Sequence, residues 1–205
     1  MATRSVVATD NFNRADGALG ANWAEAATAY TDNQPVISSN EVMSGGAGSY
    51  DNASYWSANS FANAQYSKAK ISVLPSSGTS LMGVIVRANA SDYCFCQYKR
   101  DSGSNKSRLY WFNAGAYTAI ALQNTTTFAS GDTIEIEVEG TTYTMFKNGV
   151  SILSGFNASA PSSGSSGITL YDLDERLDDW EGGDLIDAVH TPRMGFVNHQ
   201  NPGIV

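Results

Sequence analysis

The chain has 205 residues and a net charge of −8, with 42% hydrophobic residues and only 16% charged residues. Binding to nucleic-acid phosphates or anionic lipid requires a basic surface, so this balance excludes nucleic acid and membrane surfaces as partners. No apolar run approaches the ~20 residues that span a membrane, and the N-terminal segment lacks the apolar core of a signal peptide. We therefore expect a protein that is made in the cytoplasm and leaves it only by a route other than secretion, such as release within a particle.

Short strands and polar turns are predicted from the N-terminus onward. Residues 1–8 fit a loose arm or a first edge strand, and Phe12 and Trp23 are apolar anchors around a glycine-rich turn. Residues 23–30 include helix formers but are uncapped and followed by strand-type sequence, so we predict them to be extended. Later strands are predicted at 35–37, 41–43, 64–74, 81–87, 93–99, 108–113, 117–123, 134–139, 141–146, 150–153, 168–171 and 177–185. Many short strands without a convincing helix predict an all-β sandwich.

Residues 131–150, GDTIEIEVEGTTYTMFKNGV, show the strand pattern most clearly. Apolar residues alternate with acidic ones, with Ile134, Ile136 and Val138 on one face and Glu135, Glu137 and Glu139 on the other. This period of two is typical of a half-buried antiparallel strand. Asn148-Gly149 then forms a tight turn that requires positive φ. The pattern predicts an aliphatic row that faces the core and a carboxylate row that faces water or a partner.

Alternation in two neighbouring strands also predicts an outward-facing aromatic set, Tyr93, Phe95, Tyr110 and Phe112. Exposed aromatic rings on a sheet face can stack on sugars or contact another protein, so these four are candidate ligand- or partner-binding residues. A shift of the inside and outside assignment by one residue would reverse the two faces, and that alternative stays open.

The two cysteines, Cys94 and Cys96, stand two residues apart in one predicted strand. Their side chains point to the same side with parallel Cβ vectors, too far apart for a disulfide bond. We expect both to be small apolar core residues.

Eight of the sixteen residues from 172 to 187 are acidic. Within this stretch, Asp172, Asp174 and Asp178 offer the hard oxygen ligands that Ca²⁺ prefers, and they are a candidate calcium site. A solvated acidic strand and turn is the alternative, and we favour it. No other cofactor is expected.

The C-terminal residues 188–205 contain two prolines and no periodic pattern, which is typical of an extended tail. Four of their apolar residues would be poor choices for a tail that is free in water: Met194, Phe196, Ile204 and Val205. These residues indicate a docking arm.

Five segments, in chain order, resemble the concanavalin A-like lectin and glucanase jelly rolls: DNFNRADGALGANW, GVIVRANASDYCFCQYK, RLYWFNAGAYTAIAL, GDTIEIEVEGTTYTMFKNGV and LDDWEGGDL. The sequence is most similar, over residues 9–187, to the laminin-G-like modules of bacterial extracellular and bacteriophage structural proteins. The resemblance implies a two-sheet antiparallel jelly-roll sandwich over residues 1–187, with a curved sheet whose concave face can bind glycans. The tail, residues 188–205, would follow this domain. Lectins, glycosidases, lyases and structural modules share the fold, so it assigns no function by itself.

A glycoside hydrolase is one function that the resemblance allows. Retaining glucanases of this fold carry their carboxylic acids at alternate positions of one strand, and Glu135, Glu137 and Glu139 have that spacing. Glu135 and Glu139 would then be the catalytic residues. Because Glu137 stands where the family has Asp, and no aromatic subsite motif accompanies the row, we favour a solvated face over catalysis.

The sequence therefore predicts a non-enzymatic structural or adhesion module. We expect a bacteriophage virion protein, a capsid decoration or tail-associated protein, that contacts other virion or surface proteins and glycans and is oligomeric or attached to a lattice. The missing signal peptide, the isolated module and the apolar tail residues motivate this expectation. The alternative is a carbohydrate-binding module of a bacterial protein that is secreted or displayed at the cell surface.

Overall fold

The computed structural model describes residues 3–26, 34–46, 52–74, 80–101, 104–123 and 126–186, and these residues form sixteen β-strands and no helix. The strands are β1 (Thr3–Asp10), β2 (Gly17–Ala18), β3 (Trp23–Glu25), β4 (Val36–Ser38), β5 (Glu41–Met43), β6 (Asn52–Trp56), β7 (Gln65–Val73), β8 (Ser80–Ala88), β9 (Asp92–Asp101), β10 (Ser104–Asn113), β11 (Ala116–Gln123), β12 (Thr133–Glu139), β13 (Thr142–Lys147), β14 (Val150–Phe156), β15 (Ser165–Leu170) and β16 (Arg176–Ile186).

The strands pair antiparallel in two sheets. The nine-stranded sheet has the order β14-β13-β12-β7-β16-β5-β4-β2, and β1 also pairs with β16. The seven-stranded sheet has the order β11-β10-β9-β8-β15-β6-β3. Strands β7 and β8 follow each other in the chain but lie in different sheets, as do β15 and β16, so the chain passes between two layers. The predicted all-β, two-sheet antiparallel sandwich is confirmed.

The main core lies between the two sheets, where alternate side chains of each strand point inward. In β12, Ile134, Ile136 and Val138 are fully buried, as their alternation predicts. Cys94 and Cys96 of β9 belong to the same cluster, and both are free thiols. Burial raises the pKa of Cys94 to about 12, so these cysteines act as small apolar core residues.

Four aromatic rings pack together in this core. The ring of Trp180 lies 4.7 Å from that of Trp23 and 5.6 Å from that of Trp56, and Phe12 lies 6.1 Å from Trp23. The indole Nε1 of Trp23 donates a 2.8 Å hydrogen bond to the Asp10 carboxylate, which keeps the polar edge of the ring satisfied. These contacts join the first turn of the chain to β16.

Arg87, at the end of β8, is a buried charge that the apolar pattern of its strand did not reveal. It has a φ of 52° and its guanidinium is surrounded by oxygen atoms of three separate loops. Nη2 donates to the carbonyls of Asn63 (2.8 Å) and Gly140 (2.7 Å), and Nη1 donates to the carbonyl of Pro161 and the hydroxyl of Tyr143, both at 3.1 Å. The side chain therefore joins the loops that precede β7, β13 and β15 at one end of the sandwich.

The predicted docking arm, with Met194, Phe196, Ile204 and Val205, lies outside the described residues. Its role and the domain boundary at residue 187 therefore stay predictions. Among the described residues, no helix is long and apolar enough to cross a membrane.

Candidate functional site

The predicted carboxylate row lies on the face of the nine-stranded sheet that points away from the core. Glu139 is exposed and Glu137 is partly exposed, but Glu135 retains only 2% of its accessible surface. Its cross-strand neighbours are Phe146 of β13 and Lys68 of β7. The expectation that the whole row faces water or a partner is therefore wrong for Glu135.

Arg4 of β1 extends over this face and explains the burial of Glu135. Its Nη2 contacts Oε1 of Glu135 and lies 2.6 Å from Oε1 of Glu137, to which Nε also donates a hydrogen bond of 3.0 Å. The guanidinium lies 5.1 Å from the centroid of the Tyr66 ring. A Cβ atom on Gly183 would come within 2.7 Å of the Tyr66 ring. Only a glycine at this position of β16 therefore leaves room for the ring.

Basic and acidic side chains lie next to one another around the carboxylate row. Lys68 Nζ lies 2.9 Å from Oε1 of Glu181, which also accepts a 2.7 Å hydrogen bond from the Tyr66 hydroxyl. Burial raises the pKa of Glu135 to about 7, although Arg4 beside it acts in the opposite direction. Burial acts on Glu181 in the same way, but the hydrogen bonds from Tyr66 and Lys68 outweigh it and lower the pKa of that carboxyl.

Of the two predicted catalytic residues, Glu139 is exposed, whereas Glu135 is buried in an ion pair with Arg4. A retaining glycosidase requires two carboxyl groups ~5–5.5 Å apart on either side of the scissile bond. Here Glu135 and Glu137 both contact the same guanidinium nitrogen, and Glu135 is buried. Glu135 and Glu137 form an ion-pair network with Arg4 that joins β1 to β12.

The four predicted aromatic binding residues come together on the face of the seven-stranded sheet that points away from the core, which we call the outer face. Tyr93 stacks on Phe112 at 5.0 Å between ring centroids, and Phe95 stacks on Tyr110 at 5.8 Å. They form a cluster separate from the main core, together with Ile85.

Most of this aromatic set is not available to a ligand. Tyr93 and Phe95 are 1% exposed and Phe112 is 2% exposed, whereas Tyr110 is half-buried. The rings pack against one another, and Tyr117 of β11 meets Phe112 edge-on at 5.0 Å. The expectation of exposed rings is therefore wrong for three of the four residues, and the binding role of the set stays a prediction.

Beside Tyr110, the outer face carries a polar pair that the sequence did not identify. Arg108 of β10 lies directly opposite Gln97 of β9, and its Nη2 donates a hydrogen bond to the Gln97 side-chain oxygen. The guanidinium lies 5.1 Å from the centroid of the Tyr110 ring. The Nε atom of Arg108 is buried and has no hydrogen-bond partner among the described residues. Arg108 as a whole is half-buried, and guanidinium N–H groups can donate hydrogen bonds to hydroxyl or carboxylate oxygens.

The candidate calcium ligands lie in a turn that is organised by a different carboxylate. Glu175 is fully buried, and its two oxygens accept hydrogen bonds from the backbone N–H groups of Asp172 (2.7 Å) and Leu81 (2.9 Å). Asp174 is exposed at the turn, and Asp178 follows in β16. Within the described ranges, no three His, Cys, Asp or Glu side chains are grouped so as to hold a metal ion. Calcium binding here stays a prediction.

No protein-family model matches the chain, and no curated protein matches it. Solved structures do match. The carbohydrate-binding module CBM66 from Bacillus subtilis aligns with a TM-score of 0.60 and 14% identity over 80% of this chain and 98% of its own. The CBM2 module of the evolved Dit protein of Lactobacillus casei BL23 phage J-1 aligns with a TM-score of 0.59 and 9% identity, over 90% of this chain and 97% of its own.

An enzyme shares the same architecture. The β-glucanase of Bacillus licheniformis aligns with a TM-score of 0.52 and 11% identity, over 86% of this chain and 96% of its own. At such low identities these likenesses show the fold alone. The chain has the concanavalin A-like, galectin-like jelly-roll fold that its sequence resembles.

Proposed function

We propose that the chain is a non-catalytic adhesion module that binds carbohydrate at the outer face of the seven-stranded sheet. The observation that carries this proposal is the guanidinium of Arg108, which lies on the half-buried Tyr110 ring and is hydrogen-bonded to Gln97. A sugar ring has an apolar face that can stack on tyrosine and hydroxyl groups that accept hydrogen bonds from arginine. The likeness to two carbohydrate-binding modules is consistent with this use of the fold.

The absence of catalysis is proposed from the carboxylate row. The guanidinium of Arg4 engages both Glu135 and Glu137, so neither carboxylate is free to act as a nucleophile. If Glu135→Gln or Glu139→Gln abolished a measured glycanase activity, the proposal of a non-enzyme would fail.

Binding can be tested with the purified chain on a glycan array and on insoluble polysaccharides. We expect Tyr110→Ala and Arg108→Ala each to weaken binding by roughly tenfold or more, the loss of about 1.4 kcal/mol. Arg176→Ala is the matched control, because this arginine lies on the nine-stranded sheet. Binding that is unchanged in the first two variants, or absent from the unmodified chain, would contradict the proposal.

A virion is the setting that we propose for this module. The likeness to a module of a phage Dit protein supports it. Capsid and terminase genes beside the encoding gene would support this setting, whereas polysaccharide-utilisation genes would support a secreted or surface-displayed module.

Deletion of residues 188–205 tests the docking arm, which is refuted if attachment to the particle is unaffected.

A further inference from the structure

Two long strands without charged residues lie at the same side of the sandwich. Strand β14 ends the nine-stranded sheet, and β11 ends the seven-stranded sheet. A Cβ atom on Gly155 of β14 would lie 2.8 Å from Cγ2 of Ile120 and 2.9 Å from Cβ of Ala121, both in β11, so the two strands pack directly on each other. We call this side, formed by β11 and β14, the uncharged edge.

The uncharged edge lacks the features that usually keep sheet edges from pairing with another chain. Such edges are short or carry charged residues or proline. The opposite ends of the two sheets follow this rule, because β2 has two residues and β3 has three, including Glu25. In contrast, β14 has seven residues and β11 has eight. Both lie in long stretches of sequence, 109–131 and 148–171, that contain no Asp, Glu, Lys, Arg or His.

Strand β14 is the part of this edge that can accept a further strand. Within the described ranges it pairs with β13 alone, so its other side presents backbone N–H and C=O groups. Its register is irregular only opposite Met145 and Phe146, and residues 153–156 pair regularly with β13. Val150 and Phe156 are the most exposed large apolar side chains of the described residues, each 66% exposed. Exposed apolar side chains beside unpaired backbone groups are typical of a site that binds an added strand.

The charge distribution favours a second copy of this chain as the partner. The chain has a net charge of −8, so two copies repel each other wherever acidic surfaces approach within a Debye length, about 8 Å at physiological salt. This repulsion is weakest at the uncharged edge, which also offers no counter-charge to a charged partner. A strand edge is complementary to its own copy, because two identical strands pair antiparallel about a two-fold axis.

We infer that two copies of the chain associate through β14, which pairs antiparallel with β14 of the second copy and extends the nine-stranded sheet across both. Phe156 of each copy then lies at the contact. One added strand pair buries less than the ~1,200 Å² of a stable interface, so we expect a reversible dimer with a dissociation constant on the order of 10 µM. The contact uses neither Tyr110 nor Arg108, so the inference stands apart from the proposed function. A dimer would present two copies of the proposed carbohydrate site.

Sedimentation velocity of the full chain between about 1 and 500 µM tests the association. We expect a shift from monomer to dimer, and Phe156→Lys should raise the dissociation constant at least tenfold. This substitution makes the chain less acidic, so added repulsion between the net charges cannot explain a loss. Val6→Lys is the matched control: it makes the same charge change at a 55% exposed apolar residue of β1 and should leave the dimer intact.

Ser154→Lys is a second variant, and it decides the matter if Phe156→Lys does not fold. Ser154 is exposed, and a two-fold axis through residues 153–156 brings its two copies close together, so two lysines there would repel each other. Hydrogen exchange provides a direct readout, since backbone amides of β14 should exchange more slowly as protein concentration rises.

Several results would overturn the inference. A chain that stays monomeric at 500 µM would show that β14 does not bind its own copy, and that any occupant of this edge is a different molecule. Dimers that persist in both lysine variants, or that Val6→Lys weakens equally, would place the contact elsewhere. Loss of the dimer in a full chain with Phe196→Ser and Ile204→Ser would assign the contact to residues 188–205. Exchange in β14 that is independent of concentration would exclude strand pairing.

Discussion

The Nη2 atom of Arg4 lies 2.6 Å from Oε1 of Glu137, although β1 and β12 are separated by two other strands of the nine-stranded sheet. The same nitrogen contacts the buried Glu135, so one side chain joins the first strand of the chain to the centre of the sheet. Glu135 and Glu137 of the predicted carboxylate row therefore lie in an ion-pair network, whereas Glu139 stays exposed. Its two consequences can be measured as changes in stability.

Glu135→Gln should remove a pH dependence of folding. The pKa of this carboxyl is raised from 4.5 to about 7 in the folded protein. Between those values the folded state binds more protons than the unfolded state, so the free energy of unfolding falls as pH rises, in total by on the order of 3 kcal/mol. The variant should therefore be more stable than the unmodified chain at pH 8 and close to it at pH 4.5. Urea denaturation from pH 4.5 to 8 measures this, with the exposed Glu139→Gln as control. If the free energy of unfolding of Glu135→Gln falls with pH as steeply as that of the unmodified chain, the raised pKa of Glu135 would be contradicted.

Arg4→Met should destabilise the protein, because it leaves the buried Glu135 without its counter-charge. Breaking a buried ion pair costs roughly 3–5 kcal/mol, and we expect about 1–3 kcal/mol because Arg4 is partly exposed. The cost should be smaller in a Glu135→Gln background, where no charge is left unpaired. A double-mutant cycle measures this coupling, which we expect to be at least about 0.5 kcal/mol. Equal costs in both backgrounds would show that the two side chains are not coupled.

Period-two patterns predicted the direction of side chains well but not their exposure. Ile136 and Glu137 point to opposite faces because neighbouring residues of a strand must do so. Glu135 is buried by Arg4, which is 131 positions away in sequence, and no local pattern reports such a contact. Phe112 points away from the core as expected, yet rings from β9 and β11 cover it.

The sequence pattern also did not predict polar contacts whose partners come from several loops. Arg87 ends an apolar run, and only the tertiary structure brings three backbone carbonyls to its guanidinium. The Arg108–Gln97 pair depends on the register of β9 and β10, which fixes two residues as direct opposites. Runs of alternating aromatic residues located the outer face, but register decides which polar side chains join it.

Gly83→Ala should weaken the contact between β8 and β9. A Cβ atom at this position would lie 1.9 Å from the carbonyl oxygen of Cys96, so the two backbones would have to separate. We expect a loss of at least about 2 kcal/mol of stability, as for other overpacked positions. Gly149→Ala is the control: its Cβ meets nothing within 4 Å, so only its φ of 75° should cost stability, by roughly 1–2 kcal/mol. Chemical denaturation compares the two, and a Gly83→Ala protein as stable as the unmodified chain would be incompatible with the close approach.

Arg87→Lys should destabilise the sandwich nearly as much as Arg87→Met. The guanidinium donates to Asn63, Gly140 and Pro161 in different directions, and a single ammonium group cannot reach all three carbonyls. Each carbonyl left without a donor in a buried site costs about 1–3 kcal/mol, so we expect either variant to lose at least about 3 kcal/mol. Lys70→Met is the control, since Lys70 is 46% exposed and its carboxylate partner lies 3.8 Å away, and it should change stability by less than about 0.5 kcal/mol. Hydrogen exchange of the loops before β7, β13 and β15 should increase together in the Arg87 variants. Faster exchange in one loop alone would mean that Arg87 does not hold the three loops as a unit.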